Sequence, residues 1–294
     1  MFNNLNNSNL NYFNQLKNSL LDPLGKELSD EVKWIKIREK WGELEFPVVI
    51  YGKGEPILML HGFDSCFLEF RRIFPFLKSK YKLIIPDLFG FGFTPRISRI
   101  NYDPSNIVQN LNDILNELNI KENLKIIGAS MGGSVALSFT NEFKENIQKI
   151  VLLSPAGLFG EPKKIPLPFN QIGAAFLGTP FVRRNLCRQA FAYPDKSVGL
   201  KEEQIASFHL GCKGWRNSLA SFAKSGGFGG TQKFIPNIPT KAICGANDRI
   251  LGELELKKIS ALNNINSVNL QNCGHLPHLD LPDITAKIIK DFFN

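Results

Sequence analysis

Several features that mark common protein classes are missing from this 294-residue chain. No uninterrupted apolar run approaches the roughly 18 residues that a membrane-spanning helix needs, so no transmembrane segment is predicted. The five cysteines are odd in number and include no C-x-x-C pair, which argues against a disulfide framework and a structural zinc site. We therefore expect reduced thiols and a cytoplasmic location. Ligands at zinc or calcium spacing are also missing, so neither a metal nor an organic cofactor is predicted.

The charge balance is basic, but no long basic run is present. The chain has 35 Lys and Arg against 27 Asp and Glu, a net charge of +8. The positive residues are dispersed, with small groups at Arg71-Arg72, Lys163-Lys164 and Arg183-Arg184. A nucleic-acid-binding tail requires a denser run, so no nucleic-acid partner is expected.

The N-terminal segment resembles no targeting signal. Its first 20 residues hold eight Asn, no positive charge before Lys17 and no apolar core. A secretory signal or an Arg-rich transit peptide would need those features. We predict a frayed polar arm over residues 1–22.

The rest of the chain has the composition and the pattern of an α/β protein. Apolar residues make up 43% of the sequence and charged residues 21%, enough to bury a sizeable core. Antiparallel strands are predicted between residues 32 and 51. Short, mostly apolar strands separated by helical segments then predict a parallel sheet covered on both faces; they lie at residues 57–60, 83–85, 124–127, 150–153, 242–244 and 267–270.

The helices between these strands are recognisable from their apolar period. Residues 105–118 follow the 3.6-residue period after the start signal Asp103-Pro104, and further helices are predicted at 133–143 and 284–293. Residues 155–236 contain no clear buried strand. We predict a core of residues 23–154 and 237–294 with an inserted helical lid over 155–236; a separate helical domain is the alternative.

A G-x-S-x-G motif, residues 128–132, lies between a predicted strand and a predicted helix. That context requires a sharp turn which projects the Ser130 hydroxyl from the sheet edge in a strained backbone conformation. Gly128 and Gly132 remove side chains where the strand and the helix approach most closely. The alternative is a structural turn with an incidental serine.

A serine nucleophile needs a histidine base held by a carboxylate. His275 lies in a loop after the last predicted strand, and Asp248 follows the strand that ends near Cys244. Ser130, Asp248 and His275 therefore each follow a different strand, and we expect them to meet at one edge of the sheet. Asp248 as a loop cap and His275 as a surface histidine are the structural alternatives.

A developing oxyanion also needs hydrogen-bond donors. The His61-Gly62-Phe63 segment follows a strand, and Gly62 allows a close backbone approach, so the Phe63 amide is paired with that of Met131 as the predicted oxyanion hole. His61 is expected to hold the loop. His278 is expected in a supporting or surface position, and His209 lies in the lid.

These motifs together resemble the α/β-hydrolase superfamily from about residue 30 to residue 294. His61-Gly62-Phe63 resembles the oxyanion-loop motif, and residues 87–94 resemble the D-x-x-G-x-G-x-S segment with Thr94 in place of serine. Residues 61–72 look like those of cyanobacterial and plastid-type members. The resemblance implies an α/β-hydrolase fold with a mostly parallel central sheet, helices on both faces and an inserted lid. Haloalkane dehalogenases and epoxide hydrolases of this fold have an aspartate where this chain has Ser130.

The predicted function is cofactor-independent hydrolysis of a carboxylic ester or related acyl bond through an acyl-enzyme. The alternatives are carbon–carbon bond cleavage of a vinylogous diketone, for which Arg183, Arg184, Arg188 and Trp215 are candidate lid groups, and a non-catalytic ligand-binding protein. The partner is expected to be a small apolar molecule. Peripheral membrane contact through Arg183 and Arg184 is an alternative, and the sequence does not determine the oligomeric state. The candidate substrate-binding residues in the lid are Phe169, Phe176, Phe181 and Trp215.

Overall fold

An eight-stranded sheet forms the centre of the molecule. The computed structural model describes residues 3–120, 123–143 and 147–294, with side chains from residue 8 onward except at residue 39. The strands are β1 (Val32–Ile37), β2 (Leu44–Tyr51), β3 (Pro56–Leu60), β4 (Lys82–Pro86), β5 (Leu124–Ala129), β6 (Ile147–Leu153), β7 (Thr240–Gly245) and β8 (Asn266–Leu270). Their order in space is β1-β2-β4-β3-β5-β6-β7-β8. β2 is antiparallel to both neighbours and all other pairs are parallel, which confirms the predicted mostly parallel sheet.

Helices connect and cover the strands. They are α1 (Asn3–Lys17), α2 (Pro23–Asp30), α3 (Phe74–Leu77), α4 (Pro104–Glu117), α5 (Met131–Phe143), α6 (Phe169–Leu177), α7 (Pro180–Gln189), α8 (Pro194–Ser197), α9 (Leu200–Ser207), α10 (Trp215–Ser225), α11 (Gly252–Ser260), α12 (Pro277–Asp280) and α13 (Pro282–Phe293). The predicted start of α4 is confirmed, since Asp103 Oδ1 accepts a hydrogen bond from the Asn106 amide at 2.9 Å.

Both faces of the sheet are buried, which is why its central strands are continuously apolar. On β3, Leu58 and Leu60 belong to the hydrophobic core that contains α4, α5 and α11. Ile57 and Met59 point to the other core, with α3 and α13. Alternate side chains of one strand therefore enter opposite cores, as expected for a parallel sheet covered by helices on both sides.

A helical segment lies between β6 and β7. This insertion, residues 154–239, contains α6 to α10 and no strand, and all of its residues are described. α6 packs on α10, where the Asn170 side-chain amide donates to the Ala220 carbonyl at 3.1 Å. The helical insertion expected from the sequence is thus present; the assignment of residues 155–236 as a lid that covers a site stays a prediction.

The N-terminal segment differs from the prediction. Residues 3–17 form α1, and Phe13 is only 2% exposed because its ring packs edge-on against Phe67 and Phe93. The Asn9 side chain donates to the Thr94 carbonyl at 2.9 Å. The frayed arm predicted for residues 1–22 is therefore wrong for the described part. A polar composition concealed a few apolar side chains that anchor the helix to the core; residues 1 and 2 lie outside the described residues.

Candidate active site

Ser130 occupies a strained turn between β5 and α5. Its φ of +51° lies in the left-handed region, which non-glycine residues rarely adopt. The Ser130 amide donates to the Leu153 carbonyl at 2.8 Å, and its carbonyl accepts from Gly133 and Ala156 at 3.0 Å each. The surrounding hydrogen bonds therefore hold this backbone conformation, as the predicted elbow requires.

The two motif glycines are required by close backbone contacts. A Cβ at Gly128 would lie 2.4 Å from the Gly132 carbonyl oxygen, and one at Gly132 would lie 2.1 Å from the Leu60 carbonyl oxygen. Neither contact can be relieved by rotating a side chain, because both involve main-chain atoms. The prediction that these positions need glycine is confirmed.

His275 lies between Ser130 and Asp248. The distance from His275 Nε2 to Ser130 Oγ is 2.8 Å, and that from His275 Nδ1 to Asp248 Oδ2 is also 2.8 Å. An ionised Asp248 can only accept, so Nδ1 carries a proton and Nε2 is free to accept the proton of the serine hydroxyl. The structure thus brings together the three residues that the sequence predicted to meet at the carboxyl edge of the sheet.

Asp248 both stabilises the turn that follows it and contacts His275. Its Oδ1 accepts from the amides of Ile250 and Leu251 at 2.8 and 2.9 Å, while Oδ2 faces His275. Burial alone would raise the pKa of Asp248, but the hydrogen bond and charge of His275 and the two amides outweigh it and lower the pKa. The carboxylate therefore stays ionised, and its orientation is fixed by the turn.

The loop after β3 passes close to the Ser130 side chain. A Cβ on Gly62 would lie 3.3 Å from Ser130 Cβ, so a larger residue would require the loop or the Ser130 side chain to shift by a few tenths of an ångström. The Phe63 amide has no hydrogen-bond acceptor among the described residues. Met131 is the first residue of α5, where amides lack partners within the helix. Both amides are thus available as donors, and their role as an oxyanion hole stays a prediction.

Two buried histidines and a carboxylate fix that loop. His61 Nδ1 lies 2.8 Å from the Gly62 carbonyl, and Nε2 accepts from the Leu88 amide at 3.0 Å. Burial lowers the pKa of His61 to about 4, so the ring is neutral. The Glu69 carboxylate accepts from the Gly62 amide at 3.1 Å and lies 3.4 Å from Nε2 of the fully buried His278. His61 therefore holds the loop as expected, and His278 is a buried supporting residue.

Thr94 keeps the hydroxyl function expected at the end of the glycine-rich segment. Its Oγ1 donates to the Phe91 carbonyl at 2.8 Å and accepts from the Gly90 amide at 3.2 Å. The first residue of the segment, Asp87, accepts the Phe67 and Phe93 amides, both at 2.7 Å. These bonds shape the loop that follows β4.

A buried polar cluster, which could not be found from the sequence, joins the loop after β3 to the insertion. Asp64, next to Phe63, accepts from Arg183 Nη1 at 2.6 Å, from Trp215 Nε1 at 2.8 Å and from His209 Nε2 at 3.0 Å. Burial would raise the pKa of Asp64, but these donors hold it well below its usual range. The partners are separated from Asp64 by 119 to 151 residues, so no local pattern indicates the cluster.

A cavity of about 270 Å³ opens beside Ser130 and His275. The loop after β3, the helices α7 and α9 and the segment around α12 form its walls. Most of its lining side chains are apolar; those of the insertion and the C-terminal region are Leu177, Leu186, Cys187, Ala190, Phe191, Ile205, Ala206, Ile250, Leu276 and Leu279.

The four predicted substrate-binding residues do not line this cavity, so that prediction is wrong. Phe169, Phe176 and Phe181 are 64%, 61% and 74% exposed on the outside of the insertion. Trp215 is buried, and its indole N–H is bound to Asp64. The α6 register explains the error, because Leu177 faces the cavity while Phe176, one residue earlier, faces outward.

The described residues contain no group of three or more His, Cys, Asp or Glu side chains suited to a metal ion. The five cysteines are free thiols, and burial raises the pKa of Cys212, Cys244 and Cys273 to about 12. Within the described ranges, no helix has the length and the apolar character needed to cross a membrane.

Part of the chain matches the model of a known protein family. Residues 55–180, which include the loop after β3 and the Ser130 turn, match a family model described as alpha/beta hydrolase fold. The chain has the α/β-hydrolase fold. This agrees with the resemblance deduced from its motifs.

Similarity to individual α/β-hydrolases extends over most of the chain. It is 26% identical over 289 residues to the alpha/beta hydrolase domain-containing protein VTE7 of Arabidopsis thaliana, covering 93% of this chain and 87% of that protein. A 2-hydroxy-6-oxo-6-(2'-aminophenyl)hexa-2,4-dienoic acid hydrolase of Metapseudomonas resinovorans is 23% identical, with 86% and 89% covered. The solved meta-cleavage product hydrolase of Pseudomonas fluorescens IP01 superimposes with a TM-score of 0.75 at 21% identity, covering 90% and 98%.

Proposed function

We propose that this α/β-hydrolase is a serine hydrolase that cleaves an uncharged carboxylic ester with an apolar substituent. The observation that carries the proposal is the pair of 2.8 Å contacts from His275 to Ser130 and Asp248, beside a cavity with mainly apolar walls. This is the arrangement that activates a serine hydroxyl.

The proposed reaction proceeds through an acyl-enzyme. Ser130 Oγ attacks the ester carbonyl as His275 Nε2 takes its proton, and Asp248 stabilises the imidazolium. The amides of Phe63 and Met131 donate to the oxyanion. The imidazolium then protonates the leaving alkoxide, and His275 activates a water molecule that releases the acid and restores the Ser130 hydroxyl.

The charges of the cavity favour an uncharged substrate. Its two lining arginines are already paired, since Arg71 Nε donates to Asp22 at 2.6 Å and Arg183 Nη1 to Asp64 at 2.6 Å. Three carboxylates, those of Asp64, Glu69 and Glu202, also line the cavity. An anionic substrate would meet these carboxylates without an unpaired arginine or lysine among the described lining residues.

The carbon–carbon hydrolase alternative is weaker for the same reason, because its dienoate substrates carry a carboxylate. The residues of the insertion that were candidates for binding such a substrate all have other partners. Arg184 is paired with Glu203 and Arg188 with Asp195, both on the exposed side of the insertion. Trp215 donates to Asp64. Carbon–carbon bond hydrolysis is still tested, because two of the similar proteins are named as hydrolases of this kind.

Active-site labelling tests the proposal. The folded protein is incubated with a fluorophosphonate probe, and the adduct is mapped by mass spectrometry beside a Ser130→Ala variant. We expect labelling at Ser130 and none in the variant. Turnover of p-nitrophenyl esters of increasing acyl length should exceed turnover of a 2-hydroxy-6-oxo-dienoate. A protein that binds these esters yet is neither labelled nor active would instead support the non-catalytic ligand-binding alternative.

A further inference from the structure

The helix α6 is apolar on both of its faces. Ala174, on its inner face, is 3% exposed, and Leu177 lines the cavity. On the outer face Phe169, Ile172 and Phe176 are 64%, 58% and 61% exposed. Their spacing of three and four residues places them on one helical stripe. A globular helix that needed only to cover the core would carry polar side chains there.

Packing against α10 fixes which face of α6 points outward. The Asn170 side chain, 3% exposed, donates to the Ala220 carbonyl, and a Cβ on Gly178 would lie 2.9 Å from the Trp215 ring. On the outer stripe, apart from the adjoining residues and the backbone of α6 itself, no described atom lies within 4 Å of the position that a Cβ on Gly173 would occupy. The stripe is therefore open, and no rotation of α6 can bury it without breaking the α10 contacts.

The exposed apolar surface continues on both sides of α6. Ile165 and Leu167 precede the helix and are 42% and 62% exposed, and Phe181 follows it at 74%. Isolated apolar side chains are common on protein surfaces, whereas contiguous exposed groups mark interaction sites. We call the set Ile165, Leu167, Phe169, Ile172, Phe176 and Phe181 the outer apolar face.

Positive charge is concentrated in the same segment. The insertion contains eleven Lys and Arg against four Asp and Glu, so it accounts for +7 of the chain's net charge of +8. Lys163, Lys164, Arg216 and Lys224 are exposed, and none has a carboxylate partner among the described residues. Arg216 donates to the Gln171 carbonyl of α6 at 3.3 Å. The outer apolar face is therefore flanked by unpaired cations.

The basic residues near this face are not those expected from the sequence. Arg183 is buried and bound to Asp64, and Arg184 is paired with Glu203 at 2.7 Å. Arg183 is therefore not available to a membrane, and the expected lipid contact through Arg184 stays a prediction. Lys163 and Lys164, which precede α6, and Arg216 and Lys224, near the two ends of α10, are cations available to a partner.

We propose that the outer apolar face docks the protein onto an anionic lipid surface. Aromatic and aliphatic side chains on one stripe enter the boundary between headgroups and acyl chains, while the flanking lysines contact the acidic headgroups. A second copy of the chain fits less well, because it would bring two strongly basic insertions together. Docking places α6 between the lipid and the cavity, whose wall includes Leu177.

Vesicle co-sedimentation of the full chain tests the proposal independently of catalysis. Phosphatidylcholine vesicles are compared with mixed phosphatidylcholine–phosphatidylglycerol vesicles at low and high salt. We expect binding to the mixed vesicles, weakened by salt. The apolar variant, Phe169→Ser/Ile172→Ser/Phe176→Ser, should bind at least tenfold more weakly. The charge variant, Lys163→Gln/Lys164→Gln/Lys224→Gln, should lose about fivefold per charge at low salt.

Matched controls change the same chemistry on the core. The apolar control, Leu254→Ser/Ile284→Ser, removes side chains that are 68% and 43% exposed on α11 and α13. The charge control, Lys26→Gln/Lys53→Gln/Lys287→Gln, lowers the net charge equally. Both should bind like the unmodified protein. The proposal is overturned if the unmodified protein does not bind mixed vesicles, if the controls lose as much binding, or if sedimentation velocity shows a dimer that only the apolar variant dissolves.

Discussion

Replacing Asp64 with asparagine removes one charge from the buried cluster that joins the insertion to the loop beside Ser130. The φ of Asp64 is +47°, a conformation that asparagine also tolerates, so the backbone need not move. The asparagine oxygen can still accept from His209 and Trp215, which both contact Oδ1. Its NH₂ group, however, would face the Arg183 guanidinium in place of Oδ2, donor against donor.

The expected cost follows from the burial of the pair. Asp64 and Arg183 are 5% and 8% exposed, so the substitution leaves a buried guanidinium without its counter-charge. Removing one partner of a buried ion pair costs about 3–5 kcal/mol. Arg183 keeps its hydrogen bonds to the Ala206 and Asp64 carbonyls, so we expect the lower end, about 3 kcal/mol.

Urea unfolding followed by circular dichroism measures this change, with an unchanged m-value expected. Arg184→Gln, which breaks the exposed pair with Glu203, is the control and should leave the free energy of unfolding nearly unchanged. The double variant Asp64→Asn/Arg183→Met removes both charges and should be more stable than Asp64→Asn alone. The reasoning is refuted if Asp64→Asn costs no more than Arg184→Gln, or if the double variant merely sums two losses.

Two further predictions concern Asp248 and His61. Asp248→Asn should reduce kcat for a p-nitrophenyl ester by about 10⁴, because the asparagine amide favours the His275 tautomer with its proton on Nε2, facing Ser130; full activity in a folded variant would contradict it. As pH falls from 6.5 to about 4, the unfolded chain protonates His61 before the folded chain does, so this residue should lower the free energy of unfolding by up to about 3 kcal/mol. Asp87, whose burial raises its pKa to about 7, acts in the opposite sense. Urea titrations of the unmodified protein and His61→Gln across this range isolate the histidine, and parallel pH profiles would count against the assignment.

The strands and the Ser130 turn are predictable because their determinants are local. A parallel sheet buried on both faces requires continuous apolar strands, and the elbow requires glycine where main chains approach within contact distance. Gly128 and Gly132 meet that condition directly. The meeting of Asp248 and His275 with Ser130 follows from the same topology, since residues after parallel strands collect at one edge.

The N-terminal helix and the Asp64 cluster were not predictable, because their stability comes from contacts distant in sequence. Phe13 anchors α1 through rings at Phe67 and Phe93, more than fifty residues away. The composition of the N-terminal segment shows many asparagines, but it does not indicate that Phe13 contacts these distant rings. Likewise, the partners of Asp64 lie on α7, on α10 and in the loop between α9 and α10, and no spacing along the chain links them.

The positions of the Ser130, Asp248 and His275 side chains and the shape of the cavity depend on different parts of the fold. The Ser130, His275 and Asp248 geometry depends on strand ends, so it can be deduced before the helices are placed. The cavity wall depends on the rotation of α6, where a shift of one residue exchanges Leu177 for Phe176. That rotation is set by the Asn170 bond to α10 and by the fit of Gly178 against Trp215. Substrate preference in this insertion should therefore respond to changes in α6–α10 packing as strongly as to changes in the lining side chains themselves.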